Sequence, residues 1–85
     1  MAIEMLYFAW VREAVGVGSE RIDPPASVTD LADLLDWLGA TSEAHRAAFA
    51  DRARLRAAVD QRFVALDAPI AGAREVAIFP PVTGG

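Results

Sequence analysis

Apolar side chains recur along this chain at two different periods, and the switches between them divide it into strands and helices. Residues 2–10 alternate, with Ile3, Met5 and Tyr7 on one side and Glu4, Leu6, Phe8 and Trp10 on the other. A strand that is apolar on both sides belongs in the middle of a sheet. Residues 12–15 predict a single helical turn, stopped by Gly16 and Gly18. A short strand over 20–22 follows and ends at Pro24-Pro25, because proline has no N–H to give to a ladder. Over 28–38 the period changes: Val28, Leu31, Leu34, Leu35 and Leu38 recur at helical spacing and form a buried stripe. Ser27 is the expected N-cap, Asp30 falls in the first turn, and Gly39 is the expected stop. A second, alanine-rich helix is predicted over 43–50, anchored by Phe49. The period then returns to two. Residues 55–59 and 62–66 predict a hairpin turning at Asp60-Gln61, and 67–73, with Pro69 and Gly72, a loop. In the last strand, 74–79, Val76 and Ile78 alternate with Glu75, Ala77 and Phe79 until Pro80-Pro81 ends it.

Strands at both ends of the chain around a central helix predict an α+β fold. The expected architecture is a mixed sheet of about five strands with one main helix on one face, the first and last strands pairing across the whole chain. At 85 residues there is room for one domain, here 1–79, followed by an extended tail over 80–85. The 54% apolar content and mean hydropathy of +0.27 are enough to build a core.

The same alternation leaves one face too apolar. Glu4 and Glu75 mark the outward side of the end strands, which puts Leu6, Phe8 and Phe79 there as well. With the helix on the opposite face, Phe8, Phe63 and Phe79 are expected to form an uncovered patch. Any one of the three could instead fill the core. As a trio they point to a protein–protein interface.

Charge and composition narrow the chemistry. The net charge of −4 argues against nucleic acid, which demands clustered cations. All eight basic residues are Arg and there is no Lys, so no side-chain amine is present to accept an acyl group. The absence of Cys removes disulfides and thiolate chemistry. Asp30, Asp33 and Asp36 read as a solvated helix face rather than a metal site. His45 reads as a surface residue, with no paired group near it in sequence. No run approaches the ~18 apolar residues of a membrane span, and the first residues do not resemble a signal peptide. A cytoplasmic protein is expected, with no metal and no bound cofactor.

What remains is the end of the chain. After Phe79-Pro80-Pro81 come Val82, Thr83, Gly84 and Gly85, without a charged side chain. Val82 to Gly85 reach at most about 14 Å, and the two glycines make the end thin enough to thread into a narrow pocket on another protein. The prolines stiffen its base. The terminal carboxylate is ionised at neutral pH and is a poor electrophile, so chemistry at Gly85 requires prior activation, for example as an acyl-adenylate. A frayed, inert terminus is the alternative.

Two blocks carry a resemblance to a known family: Leu6-Tyr7-Phe8-Ala9 with Val11-Arg12-Glu13, and Val76 through Gly85. Ala58-Val59-Asp60-Gln61 adds a similar hairpin. The chain resembles the small, sulfur-carrying subunits of molybdopterin synthase (the MoaD family) among the ubiquitin-like β-grasp proteins. The resemblance implies that an E1-like adenylyltransferase uses ATP to activate Gly85 and that sulfur replaces an oxygen to give a thiocarboxylate. The tail, from Pro81 to Gly85, then delivers sulfur to cyclic pyranopterin monophosphate inside the large synthase subunit, in a heterotetramer of two small and two large subunits. It also implies that Phe8, Phe63 and Phe79 dock the domain and that the catalytic Lys is on the large subunit. Arg12 matches a family position, where pairing with an acidic partner residue and a plain surface role both stay open. Two features depart from the family: Asp60 stands where Asn is frequent, and 72–76 reads Gly-Ala-Arg-Glu-Val instead of Asp-Gly-Asp-Glu-Val. Carriers for thiazole or cysteine formation, a ubiquitin-like protein modifier, and a binding module with an inert tail are the rival readings.

Overall fold

A computed structural model describes residues 2–81. Its elements are β1 (Ile3–Tyr7), α1 (Ala9–Val15), β2 (Ser19–Ile22), α2 (Leu31–Thr41), α3 (Glu43–Ala48), a 3-10 turn (Arg52–Arg54), β3 (Arg56–Val59), β4 (Arg62–Val64) and β5 (Glu75–Phe79). The strands form one sheet in the order β2-β1-β5-β3-β4. β1 and β5, from opposite ends of the chain, pair as the order of elements led us to expect, and they do so in parallel, from Glu4↔Glu75 to Tyr7↔Ile78. The β1–β2, β3–β5 and β3–β4 pairs are antiparallel.

One face of this sheet is covered. Ile3, Met5 and Tyr7 of β1 and Val76 and Ile78 of β5 bury against Leu31, Leu34, Leu35 and Leu38 of α2, with Val11, Val15 and Phe49 completing the core. Each large side chain so buried stabilises the fold by about 1.5–3 kcal/mol against exposure. Among the described residues no helix is long and apolar enough to cross a membrane.

Several boundaries differ from the sequence expectation. β1 stops at Tyr7 rather than reaching Trp10. Phe8 is still extended (φ −127°, ψ 154°), but Ala9 turns the chain at φ 54° into α1. Trp10 therefore leaves the sheet. The competing signal was the i, i+4 pair Val11 and Val15, whose burial requires two helical turns where one was expected. Gly16 stops this helix in the left-handed conformation, φ 100°. The main helix is capped by Asp30, not Ser27: the Asp33 N–H donates to Asp30 Oδ1 at 2.8 Å. Ser27 and Val28 precede it in a turn closed by Val28 N–H donating to the Pro25 carbonyl. Gly39 does not end α2. The helix runs on to Thr41, whose hydroxyl donates to the Leu38 carbonyl, and Ser42 then caps α3.

The hairpin turn accommodates its aspartate. Asp60 and Gln61 both have positive φ, 49° and 70°, as a two-residue turn matching strand twist requires. Asp60 Oδ1 accepts the N–H groups of Arg74 (2.9 Å) and Glu75 (3.0 Å), tying the turn to the start of β5. An asparagine oxygen has the same acceptor, so the departure preserves the geometry.

Candidate functional site: the open sheet face and the root of the tail

The face opposite the helices is read off the register. One rung crosses the sheet from Ser19 through Leu6, Ala77 and Ala58 to Phe63. Ala58 and Ala77 are buried yet lie outside the core cluster, because they form the floor of this second face. Phe63 and Phe79 stand on that floor with ring centroids 5.8 Å apart. Phe63 is 84% exposed, which no packing among the described residues explains. Arg56, Ala57, Phe63, Val64 and Phe79 line an open depression of about 300 Å³.

Phe8 is also exposed, at 49%. It directly follows β1, with β5 and β3 between it and Phe63, and its N–H donates to the Ile78 carbonyl at 3.2 Å. Phe79 at the end of β5 therefore lies between Phe8 and Phe63 in the sheet order, and of the three only Phe63 and Phe79 are in ring contact. Arg12 is one helical turn past Phe8, its backbone N–H donating to the Phe8 carbonyl at 3.4 Å, and its guanidinium is laid along Gly18, where an added Cβ would meet Nε at 3.1 Å. β5 ends at Phe79; Pro80 and Pro81 follow, half-buried and outside any strand. Val82, Thr83, Gly84 and Gly85 lie outside the described residues.

Two groups near the tail root escaped the sequence reading. Arg56 is the register partner of Phe79, and the Arg54 guanidinium lies 4.6 Å from the Trp10 ring centroid. The alternating arginines 52, 54 and 56 were the available signal.

His45 needs a correction. It is a linker between elements rather than a surface residue. Its Nε2 meets Glu20 Oε2 at 2.5 Å and its Nδ1 meets Ser42 Oγ at 2.5 Å, with 12% of the side chain exposed. Tyr7 OH donates to the same Glu20 oxygen at 2.7 Å. The three helix aspartates are also engaged: Asp30 caps α2, Asp33 accepts from Thr29, and Asp36 pairs with Arg52. A larger groove between α2 and α3 holds that pair and Glu43–Arg46, whose charges cancel at the surface.

Comparison with known proteins places this arrangement. The model of the ThiS family matches residues 5–85. The chain belongs to the ThiS family. Among its relatives, the molybdopterin synthase sulfur carrier subunit of Escherichia coli (strain K12) is 40% identical over 83 residues, covering 98% of this chain and 99% of that protein. The protein of the same name from Mycosarcoma maydis is 35% identical, covering 99% and 94%. Among solved structures, SAMP1 from Haloferax volcanii superposes with a TM-score of 0.72 at 28% identity over the full length of both chains. A putative molybdopterin converting factor, subunit 1, from Pyrococcus furiosus gives 0.71 at 26% identity, covering 96% of this chain and 99% of that one. The fold is therefore ubiquitin-like, and the ThiS-family match runs through the tail as well as the sheet.

Proposed function

We propose that this chain is the sulfur carrier subunit of a molybdopterin synthase, working through the carboxylate of Gly85. A carboxylate oxygen attacks the α-phosphorus of ATP on an E1-like adenylyltransferase and pyrophosphate leaves. A sulfur nucleophile then attacks the acyl carbon and AMP departs with one former carboxylate oxygen, leaving a thiocarboxylate. On the large subunit, the sulfur attacks a carbon of cyclic pyranopterin monophosphate and forms a C–S bond. The C–O bond to one of that carbon's oxygen substituents breaks as it does so, and the oxygen leaves with the electron pair. Water cleaves the acyl–sulfur bond, which returns the Gly85 carboxylate and leaves sulfur on the substrate. In this reading Pro81, Val82, Thr83 and Gly84 occupy the partner's channel, while Phe8, Phe63 and Phe79 dock the domain and Arg12 sits at the edge of the contact. The chain itself contributes no general acid or base to the sulfur transfer; those groups belong to the large subunit of a two-plus-two assembly in the cytoplasm.

The observation that carries the reading is the full-length 40% identity to a protein of that name. The exposed Phe63, in ring contact with half-buried Phe79 beside the tail root, supports it. The deciding experiment incubates the purified chain with the activating enzyme, ATP and a sulfur donor, followed by mass spectrometry of the C-terminal peptide. Exchange of one oxygen for sulfur at Gly85 is expected, and its absence sinks the carrier reading. Rescue of molybdoenzyme activity, rather than of thiamine auxotrophy, separates this pathway from other carriers. Covalent attachment to target lysines is the outcome that would favour a protein modifier, the role in the name of the similar small archaeal modifier protein 1 of H. volcanii.

A further inference from the structure

We propose that Arg54 and Arg56 form a basic collar at the root of the tail that draws in and orients an acidic rim on the large subunit. This rests on the proposed function and adds the chemistry of the partner's surface to it.

The sheet order places the collar. β1 and β5 run in parallel and β3 runs against them, so the end of β1, the end of β5 and the start of β3 share one edge of the molecule. α1 follows β1 and the 3-10 turn precedes β3, so these two elements flank the point where Pro80 leaves the sheet. The contact of Arg54 on Trp10 joins them. Arg56, opposite Phe79, donates from its guanidinium to the Leu55 carbonyl at 2.8 Å.

Both guanidiniums are held by neutral groups, an indole ring and a backbone carbonyl. Holding an arginine in this way fixes its direction without cancelling its charge. Arg46 and Arg52 differ, being neutralised by Glu43 and Asp36. The carboxylates closest along the chain do not neutralise the collar. Asp51 accepts the Ala53 N–H, and Glu13, one turn from Trp10 on α1, makes no ion pair among the described residues. On a chain of net charge −4, two oriented cations beside an apolar depression fit a partner whose own apolar contact is edged with carboxylates. Such a pairing acts mainly on the rate of encounter and is screened by salt.

The test is stopped-flow association of the full-length chain with the large subunit from the same organism, at low and at high salt. R54Q/R56Q is compared with R21Q/R74Q, which changes net charge equally at exposed positions away from the collar. R54Q/R56Q is expected to slow association about tenfold at low salt and to flatten its salt dependence, with dissociation little changed. R21Q/R74Q is expected to stay within about twofold of wild type. Equal rates for all three, or equal slowing by both variants, overturns the collar while leaving the proposed function standing. No binding by the wild-type chain overturns the proposed function, and the collar with it. Circular dichroism of each variant establishes that the fold is intact.

Discussion

Glu20 on β2 and His45 on α3, 25 positions apart in the chain, meet with Oε2 and Nε2 2.5 Å apart. A carboxylate accepts only, so Nε2 carries the proton. Ser42 Oγ accepts the His45 backbone N–H at 3.1 Å and meets Nδ1 at 2.5 Å. No buried polar side-chain atom of the link lacks a partner, and the link clamps the outer strand β2 to the helical layer. Burial pushes the Glu20 carboxyl upward, but the bonds from Tyr7 and His45 outweigh it and hold the group below its ordinary 4.5. A carboxylate so depressed contributes stability above its unfolded value and loses it as pH falls through the folded one. E20Q is therefore expected to cost about 1 kcal/mol at neutral pH. The difference from wild type should shrink as pH falls from 4.5, because only the wild type loses this contribution. Urea unfolding across that range checks it; a constant difference down to about pH 3 contradicts it.

Tyr7 gives the matching prediction at the alkaline end. Burial first, and then the hydrogen bond to Glu20 and its negative charge, raise the phenol well above its ordinary 10.0. Above that pH the unfolded chain releases the phenolic proton while the folded chain keeps it, so stability falls as pH rises. Y7F is expected to cost about 1–2 kcal/mol at neutral pH, by removing a bond to a charged acceptor, and to weaken the decline above pH 10. Paired melting curves at neutral and alkaline pH measure both effects.

The contrast between α2 and His45 shows what the sequence could disclose. Leu31, Leu34, Leu35 and Leu38 announce their burial by spacing alone, because a helix writes its buried face into a local period. Phe63 and Phe79 were legible for the same reason at period two. His45 was misread because Glu20 comes from another element, although Ser42 at i−3 was a local sign of a cap that could also hold the ring. Trp10 was misplaced because Phe8 and Trp10 continue the alternation of β1 while Val11 and Val15 already follow a helical one. Arg54 and Arg56 were passed over because the sheet order, not the sequence, brings their segment against α1.

Ala9 holds a left-handed φ of 54° where the chain turns from Phe8 into α1. A Cβ there costs on the order of 1 kcal/mol, which glycine does not incur. A9G is expected to raise stability by about 0.5–1 kcal/mol despite the greater freedom it gives the unfolded chain. A lower melting temperature for A9G would show that the side chain of this exposed residue contributes more than its strain costs.

Asp60 combines a positive φ with two accepted N–H groups, and the two roles separate by substitution. D60N keeps the acceptor and tolerates the conformation, so it is expected to stay within about 0.5 kcal/mol of wild type. D60A loses the acceptor and strains the turn, at an expected cost of about 2 kcal/mol. Urea denaturation of the two variants side by side tests the assignment. Equal losses would mean that the carboxylate charge, rather than its geometry, holds the turn.

Phe49 and Phe63 undergo the same substitution with opposite expected outcomes. Phe49 is 2% exposed and packs against Tyr7 and His45, so F49A opens a cavity and should cost about 3–5 kcal/mol of stability. Phe63 touches Phe79 but otherwise faces outward, so F63A should cost under about 1 kcal/mol. If the open face docks the large subunit, the energetic order reverses on binding. F63A then removes an anchor from a depression that only the partner can desolvate, for an expected loss of about 2 kcal/mol, or roughly thirtyfold in Kd. Calorimetric titration with the large subunit, set beside thermal unfolding, gives both readouts. A variant that melts like wild type and binds like wild type would remove Phe63 from the interface and leave its exposure unaccounted for.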